Sequence, residues 1–184
     1  MLASEACHLA QSIVNMPVDG VDVVVAPPFT SLYAVSQIIK NSRLGLAGQN
    51  FHSETKGAYT GEVSLEMLKD VGCGYVLIGH SERRQLFGES DADVNKKVYL
   101  ALQMGFTAVV CIGETEEQRE SGETLSVIES QLQQGLAGLS GESIAHLVIA
   151  YEPVWAIGTG LNATPEQAVK IHKFIRGFLF RNQW

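Results

Sequence analysis

A regular alternation of short apolar runs with longer stretches of helical periodicity is the feature that most constrains the fold of this chain. Each short run is nearly continuous in Val, Ile, Leu, Ala and Gly, as expected for a parallel strand that is covered on both faces. The predicted strands span 21–27, 44–49, 74–79, 107–112 and 146–151, and the predicted helices span 4–15, 31–41, 64–71, 91–104, 116–138 and 165–181. The pattern predicts a single α/β domain over residues 1–184, with about five parallel strands and six helices.

Polar side chains follow four of the predicted strands at the point where each strand ends. They are Asn50, His80, Glu114 and Glu152. Because the carboxyl ends of parallel strands meet at one face of a barrel or one edge of an open sheet, we expect these side chains to converge on a ligand site. The spacing favours an α/β enzyme and leaves open whether the sheet closes into a barrel.

Charge and cysteine content narrow the class of partner and the compartment. Lys and Arg number 13 against 20 Asp and Glu, a net charge of −7, which argues against nucleic acid or an anionic membrane surface as a partner. The three cysteines, Cys7, Cys73 and Cys111, have no C-x-x-C spacing, so buried reduced thiols are favoured over a disulfide or a metal site. We expect neither a signal peptide nor a membrane span, and therefore a cytoplasmic protein.

Two segments carry the chemistry. Residues 150–160 read Ala-Tyr-Glu-Pro-Val-Trp-Ala-Ile-Gly-Thr-Gly, in which a carboxylate ends an apolar strand and enters a loop bounded by Pro and Gly. Residues 78–84 read Ile-Gly-His-Ser-Glu-Arg-Arg. Together these segments resemble the triosephosphate isomerase family. The resemblance implies a TIM barrel, here incomplete, and a homodimeric enzyme of glycolysis and gluconeogenesis that interconverts dihydroxyacetone phosphate and glyceraldehyde 3-phosphate without a metal or cofactor.

The resemblance also implies a role for each matching residue. Glu152 is the catalytic base, and His80 is a neutral imidazole that polarises the substrate carbonyl, a pairing for which this family is itself a well-known example of pKa tuning. The loop from Pro153 to Gly160 is a lid, and a backbone amide near Gly158 holds the substrate phosphate. Supporting roles fall to Ser81, Glu82, Glu114 and Trp155, with Glu114 hydrogen-bonded to Trp155 while the lid is open.

A further segment resembles the loop that family members insert into a neighbouring subunit. It includes Asn50 and the run Gly57-Ala58-Tyr59-Thr60-Gly61-Glu62. The resemblance implies that Thr60 and Gly61 reach the partner and that Glu62 lies near the partner's Arg83. From composition alone, the same residues form a polar surface loop that ends in a helix cap at Ser64.

The five strands match the family's second to sixth strands. The first strand, with its substrate-binding Lys, and the seventh and eighth strands, with their phosphate-binding loops, have no match here, and Leu161-Asn162 stands where relatives often carry a Lys-bearing hinge. We therefore expect a fragment that is poorly folded or nearly inactive alone, with apolar edges near Val23 and Val148. The alternative is a non-catalytic truncated product that acts only as an assembly partner.

The acidic and basic residues of segment 116–120 (Glu116, Glu117, Arg119 and Glu120) are interpreted as a solvated helix face.

Overall fold

The computed structural model describes residues 1–17, 20–160, 162–182 and 184. Leu161 of the predicted hinge lies outside the described residues. The chain divides into two compact units, the first made of residues 1–77 and 100–108 and the second of residues 78–99 and 109–184. Within the described residues, no helix has the length and apolar character needed to cross a membrane.

The described residues contain eight α-helices and five β-strands, which confirms the predicted alternation. In chain order they are α1 (Ala3–Val14), β1 (Val24–Val25), α2 (Phe29–Ile39), β2 (Gly45–Gly48), α3 (Leu65–Asp70), β3 (Tyr75–Ile78), α4 (Ser81–Phe87), α5 (Asp91–Gln103), β4 (Thr107–Ile112), α6 (Glu116–Glu120), α7 (Thr124–Gly135), β5 (Leu147–Tyr151) and α8 (Pro165–Arg181). Short 3₁₀ turns occupy Gly141–His146 and Val154–Ala156.

Two helices differ from the prediction. The expected helix over 116–138 is broken into α6 and α7, because Gly122 adopts a left-handed conformation with φ of 76° and its N–H bonds back to the carbonyl of Arg119. Glycine enters that region at no steric cost, so it ends a helix readily. The short α4 is additional to the six predicted helices, and it begins directly after His80.

The strands form one parallel sheet in the order β1-β2-β3-β4-β5. In the first unit, Val24 pairs with Gly45 and Ala47 pairs with Tyr75, which places β1, β2 and β3 side by side. In the second unit, the N–H of Glu152 donates to the carbonyl of Ile112 at 2.8 Å, which sets β5 beside β4. Consecutive strands are therefore neighbours, as expected for repeated βα units.

Each unit has an apolar core of its own. In the first unit, α1 packs on α2, and buried side chains include Leu32, Val35, Ile39, Phe51, Leu65 and Phe106. In the second unit, α7 packs against α8, and buried side chains include Val94, Val98, Ile128, Leu132, Ile171 and Ile175. The strands at the two ends of the sheet order are more open, since Val24 is 36% exposed and Val148 is 45% exposed.

Candidate active site

Two side chains predicted from separate segments meet in the second unit. The imidazole Nε2 of His80 lies 3.0 Å from Oε1 of Glu152, and the backbone N–H of Ser81 donates to Oε2 of Glu152 at 3.2 Å. His80 follows β3 and Glu152 follows β5, so their side chains meet past the end of β4. Both are partly buried, with side-chain exposures of 31% and 20%. The pair is therefore reachable by a small ligand and shielded from bulk water.

The peptide before His80 is held on both sides. Gly79 has a φ of 73°, a left-handed conformation that turns the chain out of β3. Its N–H donates to Oε2 of Glu89 at 3.1 Å, and its carbonyl accepts from Nε of Arg84 at 2.8 Å. A Cβ at this position would lie 2.9 Å from Cγ2 of Val94, so both the conformation and the packing require glycine here.

The hydrogen bonds of His80 fix its tautomer. His80 is the N-cap of α4, and its Nδ1 accepts the backbone N–H of Glu82 at 3.3 Å. An Nδ1 that accepts carries no proton, so this hydrogen bond places a ring proton on Nε2. The Glu82 carboxylate lies 3.9 Å from the same Nδ1, beyond hydrogen-bond distance, and its side chain is 67% exposed. The ring can therefore donate from Nε2 toward Glu152 or toward a ligand.

A buried carboxylate lies beneath this turn. Glu89 accepts from Nε of Arg83 at 3.3 Å and also pairs with Nζ of Lys97, while its second oxygen receives the N–H of Gly79. The side chains of Glu89 and Lys97 are 4% and 9% exposed. Two cations and one amide thus satisfy a carboxylate that would be costly to bury alone.

The loop after β5 is attached to Glu114. Glu114 is fully buried, and its Oε1 accepts the indole N–H of Trp155 at 3.1 Å. The hydroxyl of Tyr151 donates to the same carboxylate at 3.0 Å. Burial raises the pKa of Tyr151 well above its usual range, and the neighbouring Glu114 carboxylate raises it further. The structure thus contains a hydrogen bond between Glu114 and Trp155.

The interpretation of Arg119 as a solvated side chain is wrong. Its guanidinium lies 4.1 Å from the ring centroid of Trp155, and Nη1 is 3.4 Å from Oε1 of Glu114. The side chain is 32% exposed. The break at Gly122 leaves α6 as a single short helix that contacts the 3₁₀ turn of the lid, and this contact directs Arg119 onto Trp155.

A buried thiol lies near Glu152. Burial raises the pKa of Cys111 to about 12, and the carboxylate of Glu152 adds to the rise. Burial also raises the pKa of Cys73, in the first unit, to about 11. Both thiols therefore stay neutral at neutral pH, so neither has the character of a nucleophile.

Residues 157–160, at the end of the loop that follows Glu152, are exposed. Gly158 and Gly160 have φ values of 70° and 77°, and a Cβ on either would meet no atom within 4 Å. The hydroxyl of Thr159 donates to the carbonyl of Trp155 at 3.0 Å, which closes the turn. The loop from Pro153 to Gly160 is thus held at Trp155 and exposed at Gly158.

The residues predicted for a subunit contact fall in different places. Thr60, Gly61 and Glu62 form an exposed turn of the first unit, where the N–H of Glu62 donates to the carbonyl of Tyr59 at 3.0 Å. Asn50 lies two residues beyond the end of β2 and is half-buried in the same unit. Arg83 belongs to the second unit, where its guanidinium covers the ring of Phe87 at 5.0 Å.

Sequence reasoning missed the side chains that hold the site in place, namely Arg84, Glu89, Lys97, Tyr151 and Gln131. Of these, only Gln131 left a readable signal. It lies on the face of α7 that buries Ile128, Leu132 and Gly135, where a polar residue interrupts an apolar pattern. The others are ordinary charged or aromatic residues whose partners lie far away in sequence.

Known proteins align with nearly the whole chain. A family model described as triosephosphate isomerase matches residues 2–183. The triosephosphate isomerase of Acidithiobacillus ferrooxidans is 54% identical over 178 residues, which cover 95% of this chain and 69% of the relative. Those of Protochlamydia amoebophila and Endomicrobium trichonymphae are 50% and 54% identical, over 94% and 86% of this chain and 66% and 64% of their own lengths.

The chain therefore spans about two thirds of the length of the curated relatives that it matches. The family match covers both the segment of His80 and that of Glu152. This chain belongs to the triosephosphate isomerase family.

Proposed function

We propose that this chain carries the proton-transfer pair of a triosephosphate isomerase, which interconverts dihydroxyacetone phosphate and glyceraldehyde 3-phosphate. The observation that carries the proposal is the 3.0 Å contact between Nε2 of His80 and Oε1 of Glu152. A carboxylate beside a neutral imidazole provides a base for a carbon-bound proton and a donor for the adjacent oxygen.

Glu152 acts as the base. Its carboxylate leaves the hydrogen bonds to His80 and Ser81 when a ligand takes their place, and it then removes the proton from one carbon of the substrate. The resulting acid returns that proton to the neighbouring carbon, so the reaction is balanced without an external acid.

His80 acts on the oxygens. Its Nε2–H donates to the carbonyl oxygen while the enediolate forms, and the ring then moves a proton between the two substrate oxygens. The N–H of Glu82 on Nδ1 keeps the donor proton on Nε2. The ring therefore donates at the atom that faces the substrate.

The lid covers the pair during the reaction. Its beginning is held by the hydrogen bond from Trp155 to Glu114. At its tip, a Cβ added to Gly158 would meet no atom within 4 Å. We assign the backbone amide near Gly158 to the substrate phosphate, since exposed N–H groups in a glycine turn suit an anion. Closure of such a loop excludes water from the enediolate.

A homodimer is part of the proposal. The exposed turn at Thr60 and Gly61 and the exposed side chains of Leu86 and Phe87, at 72% and 70%, support contact with a second copy of the chain. Sedimentation equilibrium is expected to give twice the chain mass, and Phe87→Ser to lower that mass toward 19.9 kDa. A monomer at all concentrations would contradict the dimer.

A cytoplasmic location is also proposed, in keeping with three unpaired thiols.

The isomerase assignment is tested with a hybrid enzyme. In it, this chain replaces the segment of the Acidithiobacillus ferrooxidans relative that aligns with it, so that the relative supplies the remaining third of its own length. We expect the hybrid to interconvert the two triose phosphates and, in D₂O, to incorporate deuterium at the carbon that Glu152 deprotonates. The relative itself is the control. A folded hybrid without isomerase activity would reject the proposal.

A further inference from the structure

One side chain of α7 holds both polar groups of a residue beyond β4. Oε1 of Gln131 accepts the N–H of Gly113 at 2.9 Å, and Nε2 of Gln131 donates to the carbonyl of Gly113 at 3.1 Å. Gln131 is half-buried on a face that is otherwise apolar. Removing an amide from water on such a face costs free energy unless its oxygen and its nitrogen both have hydrogen-bond partners. Here Gly113 provides a partner for each.

Gly113 in turn lies directly against the backbone of Glu152. A Cβ built on Gly113 would lie 1.8 Å from the carbonyl oxygen of Glu152 and 2.9 Å from its carbonyl carbon. The N–H of Glu152 donates a hydrogen bond at 2.8 Å to the carbonyl of Ile112, the residue before Gly113. The peptide units of Gly113 and Glu152 are thus in van der Waals contact, and a shift of one displaces the other.

We propose that Gln131 is a positioning residue for the base, acting through Gly113. The inference rests on the proposed function only for the meaning of Glu152 as base, since the contacts themselves are independent of it. By fixing Gly113, Gln131 fixes the surface against which the Glu152 peptide packs, and so the point from which its carboxylate reaches Ser81 and His80. Misplacement of a catalytic group by about 1 Å can cost about 10²-fold in rate.

We call the two hydrogen bonds between Gln131 and Gly113 the clamp. Its chemistry is specific to an amide. Gly113 offers one donor and one acceptor, and the glutamine side chain answers both with one acceptor and one donor. A protonated carboxyl group has the same shape and the same pair of functions, whereas a carboxylate can only accept and repels the carbonyl of Gly113. Leucine has a similar volume and neither function.

The first test uses backbone NMR and hydrogen exchange on the 184-residue chain. In Gln131→Leu, we expect the Gly113 amide to exchange about five- to tenfold faster, because a hydrogen bond contributes about 1 kcal/mol. We also expect the Ser81 amide resonance to move, because that N–H donates to Glu152. Gln134→Leu is the matched control, since Gln134 lies on α7, is exposed, and donates to the Ser130 hydroxyl of the same helix at 2.7 Å.

The outcome at Ser81 decides the inference. If Gly113 changes in Gln131→Leu and Ser81 does not, Gln131 has a merely structural role and the proposal is wrong. An unchanged Gly113 amide would also reject it.

The second test reverses the clamp within one protein. In Gln131→Glu, the introduced carboxyl group has a pKa raised by burial above its ordinary value of about 4.3. Below that pKa it donates and accepts as glutamine does, so the Gly113 and Ser81 resonances are expected to match those of wild type. As the pH rises through this pKa, the Gly113 and Ser81 resonances are expected to move away from those of the wild type at the same pH. A difference that does not vary with pH would contradict the inference, and agreement at low pH shows that the variant folds.

Kinetics of the hybrid enzyme separate this inference from the proposed function. Gln131→Leu is expected to lower kcat by about 10- to 100-fold while KM stays within about twofold, since the clamp affects the base and not phosphate binding. Loss of isomerase activity in the unsubstituted hybrid would reject the proposed function. The NMR result would still decide whether Gln131 positions Glu152.

Discussion

Replacement of Glu152 by glutamine in the hybrid enzyme is expected to lower kcat by about 10²–10⁴-fold, the range that a positioned general base contributes. The amide keeps the size of the side chain and can still accept the N–H of Ser81. It cannot take a proton from carbon, so the chemical step slows while binding of the phosphate is retained. KM is therefore expected to change much less than kcat.

Two further variants make this result specific. Glu152→Asp keeps the base and withdraws it by one methylene, so its kcat is expected to lie between those of the wild type and the glutamine variant. Glu166→Gln is the control, because Glu166 is an exposed residue in the first turn of α8 and has no place in the site. A kcat for Glu152→Gln equal to that of Glu166→Gln would remove Glu152 from the role of base.

Replacement of Glu89 by alanine is expected to lower the free energy of unfolding of the chain by about 3–5 kcal/mol, as when one partner of a buried ion pair is removed. The change leaves Lys97, at 9% exposure, without this carboxylate and takes the acceptor from the N–H of Gly79. Each of these groups loses an interaction that offset part of its cost of desolvation. Urea denaturation measures the loss. The slope of the free energy of unfolding against urea concentration is expected to be the same in wild type and variant, which shows that the same transition is being measured.

An exposed ion pair of the same chain provides the matched control. Glu66 lies 3.7 Å from Lys56, and their side chains are 48% and 78% exposed. Glu66→Ala is expected to cost no more than about 1 kcal/mol, because water screens the pair. Equal losses for Glu66→Ala and Glu89→Ala would show that the cluster around Glu89 does not stabilise the fold. Glu89→Gln keeps the shape and removes the charge, so it separates packing from electrostatics.

Four of the five strands and their ends were predictable because their signals are local, whereas the strand expected over 21–27 is reduced to Val24–Val25. A run such as 107–112 is apolar at every position but Thr107, and β4 occupies the same residues. His80 and Glu152 stood out as polar residues at the ends of such runs, and parallel strands bring those ends together. The family resemblance then assigned a role to each.

The division of helix 116–138 was missed for a physical reason. A continuous helical pattern can hide a break, since one glycine in a left-handed conformation ends a helix without changing the pattern on either side. The position of Arg119 followed from that break, and so did its contact with Trp155. Charge alone gave no indication that this guanidinium lies on an indole ring.

The supports of the site were missed because they depend on distant contacts. Glu89 is recognisable only when Lys97 and the N–H of Gly79 are seen around it. Gln131 stands out in sequence as a polar residue on an apolar face, but that signal does not identify Gly113 as its partner. These partners come from other elements, and no local periodicity relates them. The polar residues at the strand ends were therefore easier to predict than the residues that hold them in place.

The engagement of both Glu152 oxygens, one by His80 and one by Ser81, has a consequence for the study of ligands. The carboxylate behaves as an internal competitor that is tethered to the protein and therefore present at a high effective concentration. Any molecule that seeks the Nε2–H of His80 must first displace it, so a measured dissociation constant combines the intrinsic affinity with the cost of that displacement. Compounds that leave Glu152 in place and bind beside it would avoid this cost. The surface next to the His80–Glu152 pair is therefore a more favourable target for inhibitor design than the pair itself.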